Sequence, residues 1–348
     1  MMILEEQQAV SGWYYQMDGA AAKCVERYCE LAEINVSTLR RVATPCFDDH
    51  TLPPEDFVST GVLTNVASMA VLKCLYMTRL ARPELFWAVN TLAREVTKWT
   101  VACDKRLHRL ISFIHFNKQS VIKSYVGDKP SECKLLLFCD ASFAGDMKDS
   151  KSTSGSLLCL VGARTFCPIS WMCKKQGAVS HSSTEAEIIA LDMGLRLDGL
   201  PAMTLWDLII NTLEPIEQPQ EQPSAHSELM KTLPEETQEL LNVDFVPTNT
   251  SELSDRCKLI IMEDNDAVIK MCVKVRAPTM RHMQRTHRID IDALFDIIHT
   301  DKGIWIKYIN TKLQIADIFT KGAFSQFQWN ALCALLQVGP IATEDEIF

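Results

Sequence analysis

The run KLLLFCD at residues 134–140, with SGSLLCLVG at 154–162 and ARTFCPISW at 163–171, decides the fold. Each is a short apolar stretch bounded by polar or glycine-containing turns, which predicts three consecutive strands joined by hairpins. SSTEAEIIALDMGLRL (182–197) then reads as an amphipathic helix opened by serine and threonine. A further helix is expected over Ala202–Leu213. CKLIIMEDN (257–265) is a strand ending in acids, and GIWIKYIN (303–310) is a fifth strand. Helices are expected over Asp266–Val275, Gln284–His299 and, briefly, Leu313–Thr320. This order predicts one α/β sheet in which antiparallel hairpins are followed by parallel crossovers.

Upstream, apolar spacing predicts a helix over Ala20–Ile34, followed by the polar stretch TPCFDDHTLPPEDF (44–57). From Gly61 to Phe116 the pattern is helical. Leu72, Leu75, Tyr76 and Leu80 form one apolar stripe. Trp87, Val89, Leu92 and Ala93 form a second, after Pro83 in a first-turn position. Leu107, Leu110, Ile111 and Ile114 form a third. Residues 214–255, rich in Pro, Glu, Gln and Ser, read as a solvated, mostly disordered insertion.

The chain has 348 residues, 47% hydrophobic and 23% charged, an ordinary globular composition with room for two domains. Its net charge of −9 argues against a general nucleic-acid binder. The charge is uneven, however. Arg79, Arg82, Arg94, Lys98, Lys105, Arg106 and Arg109 make one basic stretch. Lys270, Lys274, Arg276, Arg281, Arg285 and Arg288 make another. Thirteen cysteines occur without a C-x-x-C pair, so they read as small core residues in a reducing compartment. No apolar run reaches membrane-spanning length, and MMILEEQQAV has acids where a signal peptide needs bases. The expectation is a soluble, intracellular chain with no membrane partner.

Asp140 and Asp264 each end an apolar strand, at the sheet edge where open α/β folds place ligands. Glu185 lies in a first helical turn, and Asp317 in the helix after the last strand. Hard divalent cations with oxygen ligands would relieve their repulsion if the four converge. Taken singly, each acid reads first as a turn former or helix cap. Ser182 with Glu185, and Thr184 with Glu187, have capping-box spacing.

FCDASFAGDMKDSKSTSGSLL (138–158), ISWMCKKQGAVSHSSTEAEIIAL (169–191), EDNDAVI (263–269) and IADIFTK (315–321) resemble, in order, the ribonuclease H region of copia-type long-terminal-repeat retrotransposon polyproteins. LARPELFWAVNTLAREVTKW (80–99) resembles the connection between polymerase and ribonuclease H. The resemblance implies a ribonuclease H-like mixed five-stranded sheet with flanking helices, preceded by a mostly helical reverse transcriptase thumb and connection remnant. The implied divisions are 1–60 (end of palm and thumb), 61–130 (helical connection), 131–330 (ribonuclease H-like domain with the insertion) and 331–348 (tail).

It also implies catalytic, metal-binding acids at Asp140, Glu185, Asp264 (over Asp266) and Asp317. They would hold two Mg2+ ions, with Mn2+ a substitute, and cut the RNA strand of an RNA–DNA hybrid by two-metal hydrolysis. Lys174, Lys175, Gln176, Ser182, Ser183, Asn265, Arg285 and His287 are the implied substrate contacts. His287 stands beside the position where the family has a histidine, in RTHRID (285–290). The implied partners are the hybrid and the polymerase part of the polyprotein. No Y-x-D-D turn is present, so no DNA polymerisation is expected. An inactive remnant that only binds nucleic acid is the alternative. An integrase shares the fold, but STEAE and ADIFTK argue against it.

Overall fold

The computed structural model describes residues 10–145, 149–215, 256–277, 280 and 282–341. The expected insertion lies almost wholly outside them, as does the end of the tail. The described residues form one mixed sheet of eight strands rather than five. The expected five are β3 (Lys134–Ser142), β4 (Thr153–Gly162), β5 (Thr165–Lys175), β6 (Leu259–Glu263) and β7 (Ile304–Tyr308). They run in the order β5-β4-β3-β6-β7. β3, β4 and β5 form an antiparallel meander, and β6 and β7 join parallel to β3. The additional strands are β1 (Ser11–Tyr15), β2 (Ser120–Val126) and β8 (Val338–Pro340). β2 pairs with β5 beyond the meander, and both β1 and β8 pair with β2. Local pattern missed β1 and β8 because β1 is exposed along its whole length and β8 has three residues, so neither shows a buried alternation.

The two faces of the sheet follow the strand period of two. Leu135, Leu137 and Cys139 face α5 (Ser183–Gly194), α6 (Leu200–Leu213), α7 (Asp266–Lys274) and α9 (Ile291–Thr300), with Ile188, Ile210, Val268 and Phe295 in the same core. Phe138 and Leu157 face the other way. There they share a core with α1 (Asp18–Ala32), α2 (Ala67–Leu80), α3 (Phe86–Arg94), α4 (Val101–Phe116) and α10 (Gln326–Leu335).

Three expectations about the helices change. In α2 the buried side is Ala70, Val71, Cys74 and Met77, whereas Leu72, Tyr76 and Leu80 are exposed. Small and medium side chains let α2 approach its neighbours closely, so the bulky residues were displaced outward. The helix expected over Gln284–His299 is broken into α8 (Met283–Thr286) and α9. The break falls at Arg288, whose φ of 58° is left-handed, and at Asp290, whose side chain accepts from Ala293 N–H and starts a new helix. The expected short last helix is a 3₁₀ turn, Ile315–Phe319, buried throughout.

The upstream basic stretch is largely neutralised within the fold. Arg82 pairs with Glu84, Lys105 with Asp56 and Arg106 with Asp49. Arg109 donates to the Thr44 carbonyl and stacks over Phe47. No helix among the described residues is long and apolar enough to cross a membrane.

Gly155 positions the site. It pairs with Asp140 across the β3–β4 ladder. A Cβ there would stand 2.6 Å from Thr320 Cγ2, 2.9 Å from Phe319 Cβ and 3.2 Å from the Ala316 carbonyl. The missing side chain therefore lets the 315–320 segment close over β4 beside Asp140. Gly155→Ala is expected to destabilise by about 1–3 kcal/mol through overpacking, read as a lower denaturant midpoint at unchanged slope. An unchanged midpoint would show that this segment is not tightly held.

Candidate active site

β3 carries Asp140 to the sheet edge, and the parallel β6 brings Asp264 beside it. Carboxylate oxygens of Asp140, Glu187 and Asp264 lie within 4.8 Å of one another. The 3₁₀ turn adds Asp317 and Lys321. Lys321 Nζ is 2.5 Å from Asp317 Oδ1 and 3.6 Å from Asp140 Oδ1. Thr320 donates its hydroxyl to Asp140 Oδ2. Asp140 and Glu187 are buried and Asp264 is half-buried.

Three of the four expected acids, Asp140, Asp264 and Asp317, are therefore brought together. Glu185 is not among them; Glu187 takes that place. Residues two apart on an α-helix point about 200° away from each other, so only one of the pair can face Asp140. The cap settles which. Ser182 is the N-cap of α5 and accepts from Glu185 N–H at 3.1 Å. Glu185 is thereby turned back over the helix start, where its carboxylate accepts from His181 N–H at 3.0 Å. His287 Nε2 lies 2.8 Å from its other oxygen. Capping-box spacing in the sequence fitted Ser182 with Glu185 and Thr184 with Glu187 alike, so it could not choose between the two acids; the fold uses the first.

The other expected contacts divide similarly. Gln176 is buried, with its amide donating to Ser154 Oγ and the Ala186 carbonyl, so it supports the fold instead of meeting a ligand. Asn265 caps α7, accepting from Ala267 and Val268 N–H. Lys175 pairs with Asp149 at 2.8 Å. Ser182 is engaged as a cap, and His287 is held against Glu185. Lys174, Ser183 and Arg285 are exposed. Asp266 is exposed and pairs with Lys270 on its own helix, away from the acid group. Trp171 packs against the core and donates its indole N–H to the Thr78 carbonyl.

The electrostatics match a crowded anionic site. Burial, and then the charges of Asp140, Glu263 and Asp264, push Glu187 up to about 10. Burial and the charge of Asp140 push Asp317 up to about 7, against the opposing pull of Lys321. Burial raises Glu263 to about 8 and also raises Asp264. Lys321 is lowered by burial but raised more by Asp140 and Asp317, so it stays charged. Carboxyls that hold protons at neutral pH for want of positive charge form a fitting donor set for hard divalent cations.

A carboxyl raised on folding binds its proton more tightly in the folded chain. Its stabilising contribution is complete below the ordinary carboxyl value and is lost as pH rises through the folded one. In chelator, the melting temperature is expected to fall as pH rises above the ordinary carboxyl values of 3.8 and 4.5, with the contribution of Asp317 exhausted by about 7 and that of Glu263 by about 8. Added Mg2+ should flatten the fall. Thermal melts across this range check it, and a flat profile in chelator would contradict it.

No protein-family model matches the chain, and no solved structure matches it. The chain is similar to an uncharacterized mitochondrial protein of Arabidopsis thaliana, 33% identical over 33% of this chain and 45% of that protein. It is similar to the secreted RxLR effector protein 161 of Plasmopara viticola, 32% identical over 35% of this chain and 81% of that protein. It is also similar to the retrovirus-related Pol polyprotein from transposon RE1 of Arabidopsis thaliana, 31% identical over 45% of this chain and 10% of the polyprotein. The RE2 polyprotein matches to the same extent. The chain thus spans under half of the mitochondrial protein and a tenth of each polyprotein. By its 32% identity over 81% of the Plasmopara relative, this chain belongs to that protein's family, and its similarity to the Pol polyproteins marks it as a retrotransposon-derived protein related to copia-type elements.

Proposed function

We propose that this chain is a ribonuclease H-type endonuclease that cuts the RNA strand of RNA–DNA hybrids. The convergence of Asp140, Glu187, Asp264 and Asp317 carries this reading. The strand order β5-β4-β3-β6-β7, a meander followed by two parallel strands, supports a ribonuclease H-like sheet. The similarity to Pol polyproteins supports the substrate class.

The four carboxylates would hold two Mg2+ ions, which supply activation of a water and stabilisation of the leaving oxygen in phosphodiester hydrolysis. Asp140 is the fixed member of the set, because the β3 ladder and Thr320 hold it. Asp264 and Asp317 close the site from the neighbouring strand and the 3₁₀ turn. Lys321 partly offsets the charge of Asp140 and Asp317 and would be displaced if cations occupied the site. The exposed Lys274, Arg276, Arg285 and Arg288 offer phosphate contacts on the segment following β6. The hybrid's 2′-hydroxyls and groove shape would distinguish it from duplex DNA. The polymerase part of a polyprotein is the proposed intramolecular partner.

The test is cleavage of a labelled RNA–DNA hybrid in Mg2+ by the chain and by Asp140→Asn. Cleavage of the RNA strand by the parent alone supports the reading. No cleavage by the parent, or equal cleavage by both, overturns it. Salt-sensitive hybrid binding without cleavage would identify a nucleic-acid-binding module instead.

A further inference from the structure

A second group of ligand-type side chains stands beside the first turn of α5. His181 precedes the helix, Glu185 lies in its first turn, and His282 comes from the segment leading into α8. Ligand atoms of these three residues lie within 4.8 Å of one another. Glu185 is almost fully buried, at 1% exposure, whereas His181 is open to solvent. The rings of His181 and His282 are crossed, with planes at 71° and centroids 5.4 Å apart, so they do not stack.

We propose that His181, Glu185 and His282 form a transition-metal site, selective for Zn2+ over Mg2+, separate from the carboxylate group around Asp140. The His282 ring carries the strongest indication. Its side chain is 39% exposed, but its Nε2 is turned inward, 3.3 Å from Glu185 Oε2, and makes no hydrogen bond. Two ligands of a tetrahedral ion, each about 2.0–2.1 Å from the metal, stand roughly 3.3–3.4 Å apart. A buried ring nitrogen at that distance, aimed at a carboxylate oxygen without hydrogen-bond geometry, is placed as a co-ligand. The other Glu185 oxygen is engaged by His287 Nε2 at 2.8 Å, and this side chain is 3% exposed. His287 therefore acts as the positioning residue that orients the carboxylate, as outer-shell partners of metal ligands do. His181 N–H on Oε2 adds a second fixed contact.

Two imidazoles and one carboxylate suit Zn2+ and its later first-row neighbours, whereas Mg2+ prefers oxygen ligands. Three protein ligands with one exposed imidazole leave a fourth position for water. A bound ion would tie the 282–287 segment to the start of the helix that carries Glu187, across about a hundred residues of chain. This site is independent of the nuclease reading: its ligands exclude Asp140, Glu187, Asp264 and Asp317.

The test uses the full chain, stripped with chelator and titrated with Zn2+, and with Co2+ as a spectroscopic probe, in excess Mg2+. One equivalent should bind, with the intense visible bands of a tetrahedral Co2+ site and no thiolate charge-transfer band. His282→Gln and His181→Asn should each weaken binding by at least tenfold, about the loss of 1.4 kcal/mol. His287→Gln should weaken it by about 10–100-fold, and Asp140→Asn should leave it unchanged. His181 is exposed, so His181→Asn tests the site even if His282→Gln fails to fold. No binding in excess Mg2+, a thiolate band, insensitivity to His181→Asn, or loss with Asp140→Asn would overturn the proposal.

Discussion

Glu187→Gln is expected to lower Mg2+-dependent hybrid cleavage by about 10³-fold or more, whereas Glu185→Gln should cost no more than about tenfold. The first figure corresponds to about 4 kcal/mol of transition-state stabilisation, a reasonable share for one member of a two-metal carboxylate set. The asymmetry comes from placement. Glu187 meets Asp140 and Asp264, while Glu185 is turned to His181, His282 and His287. Single-turnover rates at saturating Mg2+ separate the two variants. Glu187→Gln should fold normally, because burial and its anionic neighbours hold the carboxyl protonated to about pH 10 without a cation, and the amide resembles that neutral form. If Glu185→Gln loses as much rate as Glu187→Gln while both remain folded, the acid group is not the one described above.

The second large effect is on stability. Arg82 and Glu84 flank Pro83 at the entry to α3, and both side chains are buried, at 2% and 1% exposure. Arg82 Nε donates to Glu84 Oε1 at 2.6 Å, and Nη1 donates to the Asn117 carbonyl at 3.0 Å. This pairing ties the start of α3 to the end of α4. Glu84→Ala would leave a guanidinium buried without its counter-charge, at a cost of about 3–5 kcal/mol. The pair is itself imperfectly satisfied, since Arg82 Nη2 and Glu84 Oε2 are buried without hydrogen-bond partners. A buried pair of this kind is often replaced by apolar residues at little cost. Arg82→Met with Glu84→Met is therefore expected to be more stable than either single variant. Denaturant melts of the three variants measure this, and a double variant worse than both singles would show that the ion pair is a net stabiliser.

Much of the central sheet was legible in the residues. KLLLFCD, SGSLLCLVG and the other apolar runs are short, bounded and rich in strand formers, so local preference and tertiary packing agree. The ends of β3 and β6 placed Asp140 and Asp264 at one edge by the same logic. Outer strands were not legible. Pairing of β1 and β8 with β2 joins segments more than a hundred and two hundred residues apart, and no local period announces it. Arg82 counted in the sequence only as part of a basic stretch, yet it lies in the core because Glu84 and the Asn117 carbonyl receive it.

The sequence alone determined the order of the five central strands, the alternation that assigns β3 residues to two faces, and the acidic blocks from which a site is drawn. Only the tertiary structure decided which acid of Thr184-Glu185-Ala186-Glu187 enters that site. Helical phase turns through about 100° per residue, so a cap at Ser182 aims Glu185 and Glu187 in nearly opposite directions. The strand it packs on then determines which direction is inward. Glu187 therefore joins Asp140, while Glu185 is left to the histidines that gather around the helix start.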